Sequence, residues 1–149
     1  MYYFAYGSNL SLKQMAERCP GSQPRFRAVL PNYTLAFAGW SRRWRGGTAT
    51  IRRSAGDRVP GAVYEISARD LLSLDEHEGY PAVYDRMNVK VITEDDEFVD
   101  AVTYINIKHV SETPPSPEYP AVIQQGYKDW GISSRFSIKG KRPPRHTSG

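Results

Sequence analysis

Strand-like runs follow one another with few helical segments between them, and this limits the fold more than any other feature of the chain. Tyr2–Tyr6 is a short apolar and aromatic run ending at Gly7-Ser8-Asn9, which reads as a buried strand entering a turn. From Phe26 to Ala38 apolar and polar residues alternate loosely, with Pro31-Asn32 as a break. Thr48–Arg53 and Val59–Ile66 read as two further strands, separated by the turn-rich Ser54-Ala55-Gly56-Asp57. Val83–Thr93 and Phe98–Ile107 pattern as a hairpin around the acidic turn Glu94-Asp95-Asp96-Glu97. Three helices are expected. Ser11 is placed to cap one that runs to about Cys19, where Pro20-Gly21 stops it. Ser67 followed by Asp70 is a capping-box variant, and its helix passes through Leu71, Leu72 and Leu74 to a stop at Gly79. Glu118–Trp130 carries Ile123, Tyr127 and Trp130 at i, i+4 and i+7, a stripe suited to a core. This order argues against repeated βαβ units and favours an α+β domain whose sheet curls on itself. The order of the strands does not follow from the pattern.

The 149 residues suit one domain, expected over 1–138, with a basic, Pro- and Gly-rich tail over 139–149. No apolar run approaches the ~18 residues of a membrane span, and the N-terminus lacks the pattern of a signal peptide. The single cysteine, Cys19, has no partner for an internal disulfide, which fits a reducing compartment and a cytoplasmic setting. The formal charge is +4, with Arg25, Arg27, Arg42, Arg43, Arg45, Arg52, Arg53 and Arg58 crowded into one stretch. Such a patch either meets an anionic ligand or is a solvated surface.

Several familiar chemistries lack their residues. There is no GxSxG context for Ser8 and no GxxxxGK[ST] phosphate loop. Cys19 could pair with His77 or His109 as a nucleophile, but a lone cysteine beside Pro20 reads as core filler. Glu76-His77-Glu78 offers metal-ligand atoms that point in different directions from a helix, so neither metal nor cofactor is expected. Glu78 stands out by spacing. It lies at i+7 from Leu71 and i+4 from Leu74, near the apolar direction of its helix and at the end where partial negative charge collects. Burial there would raise its pKa and suit it to proton transfer; alternatively the helix end frays and Glu78 reaches solvent or pairs with Arg86. Tyr6-Gly7-Ser8-Asn9 likewise has two readings, a concave backbone site for an anion or an ordinary turn after a strand.

Phe4-Ala5-Tyr6-Gly7-Ser8-Asn9-Leu10 and Leu74-Asp75-Glu76-His77-Glu78-Gly79 together resemble the γ-glutamylcyclotransferase family. Trp44–Ile51, Gly61–Tyr64, Tyr84, Val89–Val91, Thr103-Tyr104 and Pro114–Tyr119 match in kind and order, so the resemblance spans about Tyr2 to Ile132. It implies a small mixed β-barrel with a few packed helices and a pocket at one side. It further implies that the backbone of Tyr6, Gly7, Ser8, Asn9 and Leu10 holds the glutamyl end of a small γ-glutamyl substrate, mainly its α-carboxylate. By the same resemblance Glu78 is the general acid/base, and Tyr84, Tyr104 and Tyr119 lie near the pocket.

The implied reaction releases 5-oxoproline. A γ-glutamyl group carries its own nucleophile, the α-amine, which needs no serine, cysteine or metal. Glu78–Arg86 is closer to the γ-glutamylamine cyclotransferase, AIG2-like branch, which leaves open whether an amino acid or an amine departs. A non-catalytic binder of RNA or an anionic ligand on the same barrel is the rival from another class, disfavoured because Tyr6–Asn9 and Glu78 are both present. No membrane partner is expected, nucleic acid is a minor alternative, and a homodimer is compatible with the chain.

Overall fold

A computed structural model describes residues 1–106 and 112–132. Five strands, β1 (Tyr2–Ala5), β2 (Gln23–Ser41), β3 (Gly46–Glu65), β4 (Asp85–Thr93) and β5 (Phe98–Ile105), close into a barrel in the order β1-β3-β2-β4-β5. The neighbours are antiparallel except β1 and β5, which run parallel through Tyr3 and Val102, so the barrel is mixed. Thr103 Oγ1 donates to the Phe4 carbonyl at 2.8 Å across that closing seam. Closure gives every strand a neighbour on each side, with β2 meeting β4 through Ala28 and Val29.

Two expected interruptions are bridged. Strands β2 and β3 form one long hairpin instead of the shorter pieces that Pro31-Asn32 and Ser54–Asp57 suggest. The ladder passes from the Pro31–Arg58 pair to the Tyr33–Arg53 pair, skipping Asn32 on one side and Ser54–Asp57 on the other. Asn32 and Gly56 both take positive φ, and Asn32 Oδ1 accepts from the Gly56 N–H at 3.1 Å. The turn-forming residues therefore make an irregularity inside the ladder, and pairing resumes beyond it. Strand β4 starts at Asp85 because Val83 belongs to the turn after the preceding helix, its N–H bonded to the Gly79 carbonyl at 2.8 Å. Ile107, His109 and the expected 139–149 tail, with its boundary at 138, lie outside the described residues.

The helices are α1 (Leu12–Arg18), α2 (Ala68–Glu78) and α3 (Glu118–Trp130). Ser11 caps α1 by accepting from the Gln14 N–H at 3.2 Å. Ser67 and Asp70 form the full capping box of α2, and Gly79 closes it at φ 67°, a left-handed conformation that glycine adopts without steric cost. One continuous core joins Phe4, Ile51, Val63 and Val91 with Leu10, Met15, Leu74, Ile123 and Tyr127. Helix α3 reaches the start of α1 through a close approach. A Cβ on Gly126 would sit 2.4 Å from Leu10 Cβ, so the contact requires glycine.

Candidate active site

Where β1 leaves the barrel, Ser8–Leu10 make a single 3-10 turn, its bond running from the Leu10 N–H to the Gly7 carbonyl at 3.0 Å. Side chains pin this turn from several directions. Ser8 Oγ accepts from Gln14 Nε2 at 2.6 Å, and Asn9 Nδ2 donates to the Tyr3 hydroxyl at 3.0 Å. Asn9 Oδ1 accepts from both Gln14 Nε2 (3.2 Å) and Arg18 Nη1 (2.9 Å), while Tyr64 donates to the Asn9 carbonyl at 2.8 Å. A Cβ on Gly7 would meet Ala49 Cβ at 3.1 Å and the Tyr119 hydroxyl at 3.3 Å, so the chain passes tightly between them.

Facing this turn is the end of α2. Tyr6, Gly7, Ser8, Asn9, Glu78, Tyr84, Tyr104 and Tyr119 all line one cavity of about 340 Å³. Leu10 does not. Its side chain is fully buried beneath Gly126 and its N–H is used within the turn, so the expected direct contact of Leu10 with a ligand is corrected to a supporting position.

Of the two readings of Glu78, the structure takes the one in which an intact helix end holds the carboxyl group, half-buried, on the cavity. The helix persists to Glu78, and the Gly79 and Tyr80 N–H groups bond to the Glu76 and Asp75 carbonyls at 3.3 and 2.9 Å. Arg86 is engaged elsewhere, its Nε 3.3 Å from Asp75 Oδ1 and its guanidinium 4.2 Å above the Tyr80 ring. Asp75 also accepts from the Tyr104 hydroxyl at 2.6 Å. Burial raises the Glu78 pKa from 4.5 to about 7, and the charge of Arg18 only partly opposes it.

The tyrosines are held and kept neutral. Tyr6 donates to the Tyr104 carbonyl (2.6 Å) and Tyr84 to the Ala49 carbonyl (2.7 Å), while the Tyr119 hydroxyl accepts from the Ala49 N–H (2.9 Å). Burial pushes the phenols of Tyr3, Tyr6, Tyr84, Tyr104 and Tyr119 above the ordinary 10, so each stays protonated at neutral pH.

Arg18, Tyr3, Trp44 and Arg43 also line the cavity; none was expected as a site residue by itself, although Arg43 belongs to the arginine cluster and Trp44 to a segment that matches the family. Arg18 had a readable signal: it follows Gln14 by four positions on a short helix, so both reach the same side, that of Asn9. Arg43 and Trp44 depend on the β2–β3 register, which the pattern leaves open. The arginine cluster disperses. Arg25 pairs with Glu65, Arg27 with Glu94 and Arg52 with Glu112, and Arg53 lies over the Tyr33 ring. Cys19 is buried away from the cavity, and burial raises its thiol to about 11, so it does not join His77 as a nucleophile pair.

The γ-glutamylcyclotransferase of Mus musculus is 37% identical over 144 residues, covering 93% of this chain and 76% of that protein. A solved structure titled γ-glutamyl cyclotransferase superposes with a TM-score of 0.89 at 33% identity, over 100% of this chain and 92% of that one. An AIG2-like protein of Mus musculus shares the fold, with a TM-score of 0.59 at 21% identity over 80% of this chain and 81% of that one. The sequence model described as γ-glutamyl cyclotransferase, AIG2-like, matches residues 3–130, and the chain belongs to that family.

Proposed function

We propose that the chain is a γ-glutamylcyclotransferase in which Glu78 is the general acid/base and the Tyr6–Asn9 turn holds the glutamyl end of the substrate. The observation that carries this reading is a half-buried carboxyl group facing a rigidly pinned turn across one cavity, where burial lifts its pKa toward neutrality. Ionised Glu78 accepts a proton from the substrate's α-ammonium. The freed amine attacks the γ-carbonyl carbon, a C–N bond forms, and a five-membered ring closes. The bond from that carbon to the departing nitrogen then breaks as Glu78 gives that nitrogen a proton, and the ionised Glu78 takes the extra proton from the ring nitrogen, leaving a neutral lactam N–H and a free amine. Holding the chain in attack geometry is worth up to ~7–11 kcal/mol in favourable cases, and general acid–base help of this kind gives ~10²–10⁴-fold. A group half-ionised near neutral pH serves these proton transfers.

The leaving group in this reading is an amino acid. Support comes from the relatives named γ-glutamylcyclotransferase, 34–37% identical over at least 92% of this chain, against the fold-level likeness of the AIG2-like protein. The reaction belongs in the cytosol, where the lone thiol of Cys19 stays reduced. The test is 5-oxoproline release from γ-glutamyl-L-alanine and γ-glutamyl ethylamide, side by side. Faster release from the dipeptide is expected. Release from the alkylamide alone would assign the chain to the amine branch, and release from neither, with salt-sensitive RNA binding, would favour the non-catalytic reading.

A further inference from the structure

Arg18 and Glu78 line the same cavity with opposite charges, yet neither forms an ion pair among the described residues. They are close enough for each to feel the other's charge, and burial weakens Arg18 as a cation while Glu78 favours it. An arginine taken out of water normally finds an anionic partner, because an unpaired buried charge is costly. Arg18 has a neutral one, Asn9 Oδ1 at 2.9 Å, and its Nε is buried without a hydrogen-bond partner among the described residues. The Arg18 carbonyl accepts from Ser73 Oγ at 2.8 Å, which ties the end of α1 to α2 and fixes the residue beside Glu78.

A cation and an anion facing one small space without touching each other complement a zwitterion whose charges sit on one carbon. We infer that Arg18 binds the α-carboxylate of the γ-glutamyl group and so turns the α-ammonium toward Glu78, an assignment that rests on the cyclotransferase reading above. Asn9 links the two halves of this anchor, since the residue whose side chain orients Arg18 also belongs to the turn proposed to hold the same carboxylate. Arg43 lines the cavity too and is near enough for its charge to act on Arg18, but it is exposed, in the turn between β2 and β3, and lies 5.2 Å over the Trp44 ring. A solvated cation at that place anchors a head group less firmly.

The decisive pair of substrates is γ-glutamyl-L-alanine and 4-aminobutyryl-L-alanine, which closes the same ring but lacks the α-carboxylate. Compared on the alkaline plateau, where Glu78 is ionised in both proteins, Arg18→Met should lower kcat/KM on the first by about 10²-fold, the scale of losing one charge-assisted pair, and leave the second within about threefold. Arg18→Lys keeps the charge without the fork and should lose about tenfold on the first substrate only. A parallel binding measurement uses the products. The dissociation constant of 5-oxoproline should rise in either variant, and that of 2-pyrrolidinone should stay unchanged. Equal losses on both substrates and both products in folded protein would overturn the anchoring role alone. Wild-type protein that makes no 5-oxoproline would overturn the cyclotransferase reading beneath it.

Discussion

Replacing Glu78 by Gln should stabilise the fold as it stops the chemistry, and the gain should appear only above a defined pH. In the unfolded chain Glu78 titrates near 4.5; in the folded protein burial lifts it to about 7. Between these values the folded state holds the proton more tightly than the unfolded state does, so stability falls as pH rises through the window. Below 4.5 the group is protonated in both states and contributes nothing. Above 7 it is ionised in both, and the full penalty of about 3 kcal/mol applies, at 1.36 kcal/mol per pKa unit. Gln keeps the shape and removes the titration. Urea denaturation of wild type and Glu78→Gln from pH 4 to 8.5 should therefore give curves that coincide at the acid end and separate by up to about 3 kcal/mol at pH 8. For a domain of this size that corresponds to roughly 6–12 °C in Tm. A difference independent of pH, or a variant less stable than wild type at pH 8, would refute the burial of this carboxyl group.

The same titration should appear in catalysis, with kcat/KM rising through an apparent pKa of about 7 as Glu78 ionises. Arg18→Met should move that limb to higher pH, because the cation that favours the carboxylate is gone; an unmoved limb would mean the two charges do not interact. Gly126→Ala should cost ~1–3 kcal/mol and raise KM, since the new methyl group pushes against Leu10 and the Ser8–Leu10 turn. Unchanged urea midpoint and KM would contradict that contact. Asp75→Ala leaves the Tyr104 hydroxyl and Arg86 without their shared partner and should destabilise by about 1–3 kcal/mol, whereas a neutral result would show that water replaces the carboxylate fully.

Local rules and the family resemblance made different parts of this protein readable. The caps at Ser11 and Ser67 and the stop at Gly79 obey short-range chemistry, so the helix ends follow from neighbouring residues. The Ile123–Tyr127 stripe of α3 and the placing of Glu78 near the buried side of α2 follow from the helical period. Strand order and the parallel β1–β5 seam depend on partners far along the chain, where periodicity carries no signal. The Asn32 and Ser54–Asp57 irregularities looked like ends of strands because turn residues read the same whether pairing stops or resumes. Pairing with Arg86, one of the two alternatives open for Glu78, fails for a similar reason. Arg86 is close in sequence but is turned toward Asp75 and Tyr80, while Arg18 arrives from another helix. Leu10 sits in the midst of a site-forming segment, yet packing against Gly126 turns it into the core.

The most direct test of the account follows γ-glutamyl-L-alanine by NMR with wild type and Glu78→Gln at pH 7.5, folding and substrate affinity being measured on the same samples. Wild type should give 5-oxoproline and free alanine in equal amounts, and the folded variant should bind the dipeptide but leave it intact. Undiminished 5-oxoproline release by folded Glu78→Gln would contradict the account.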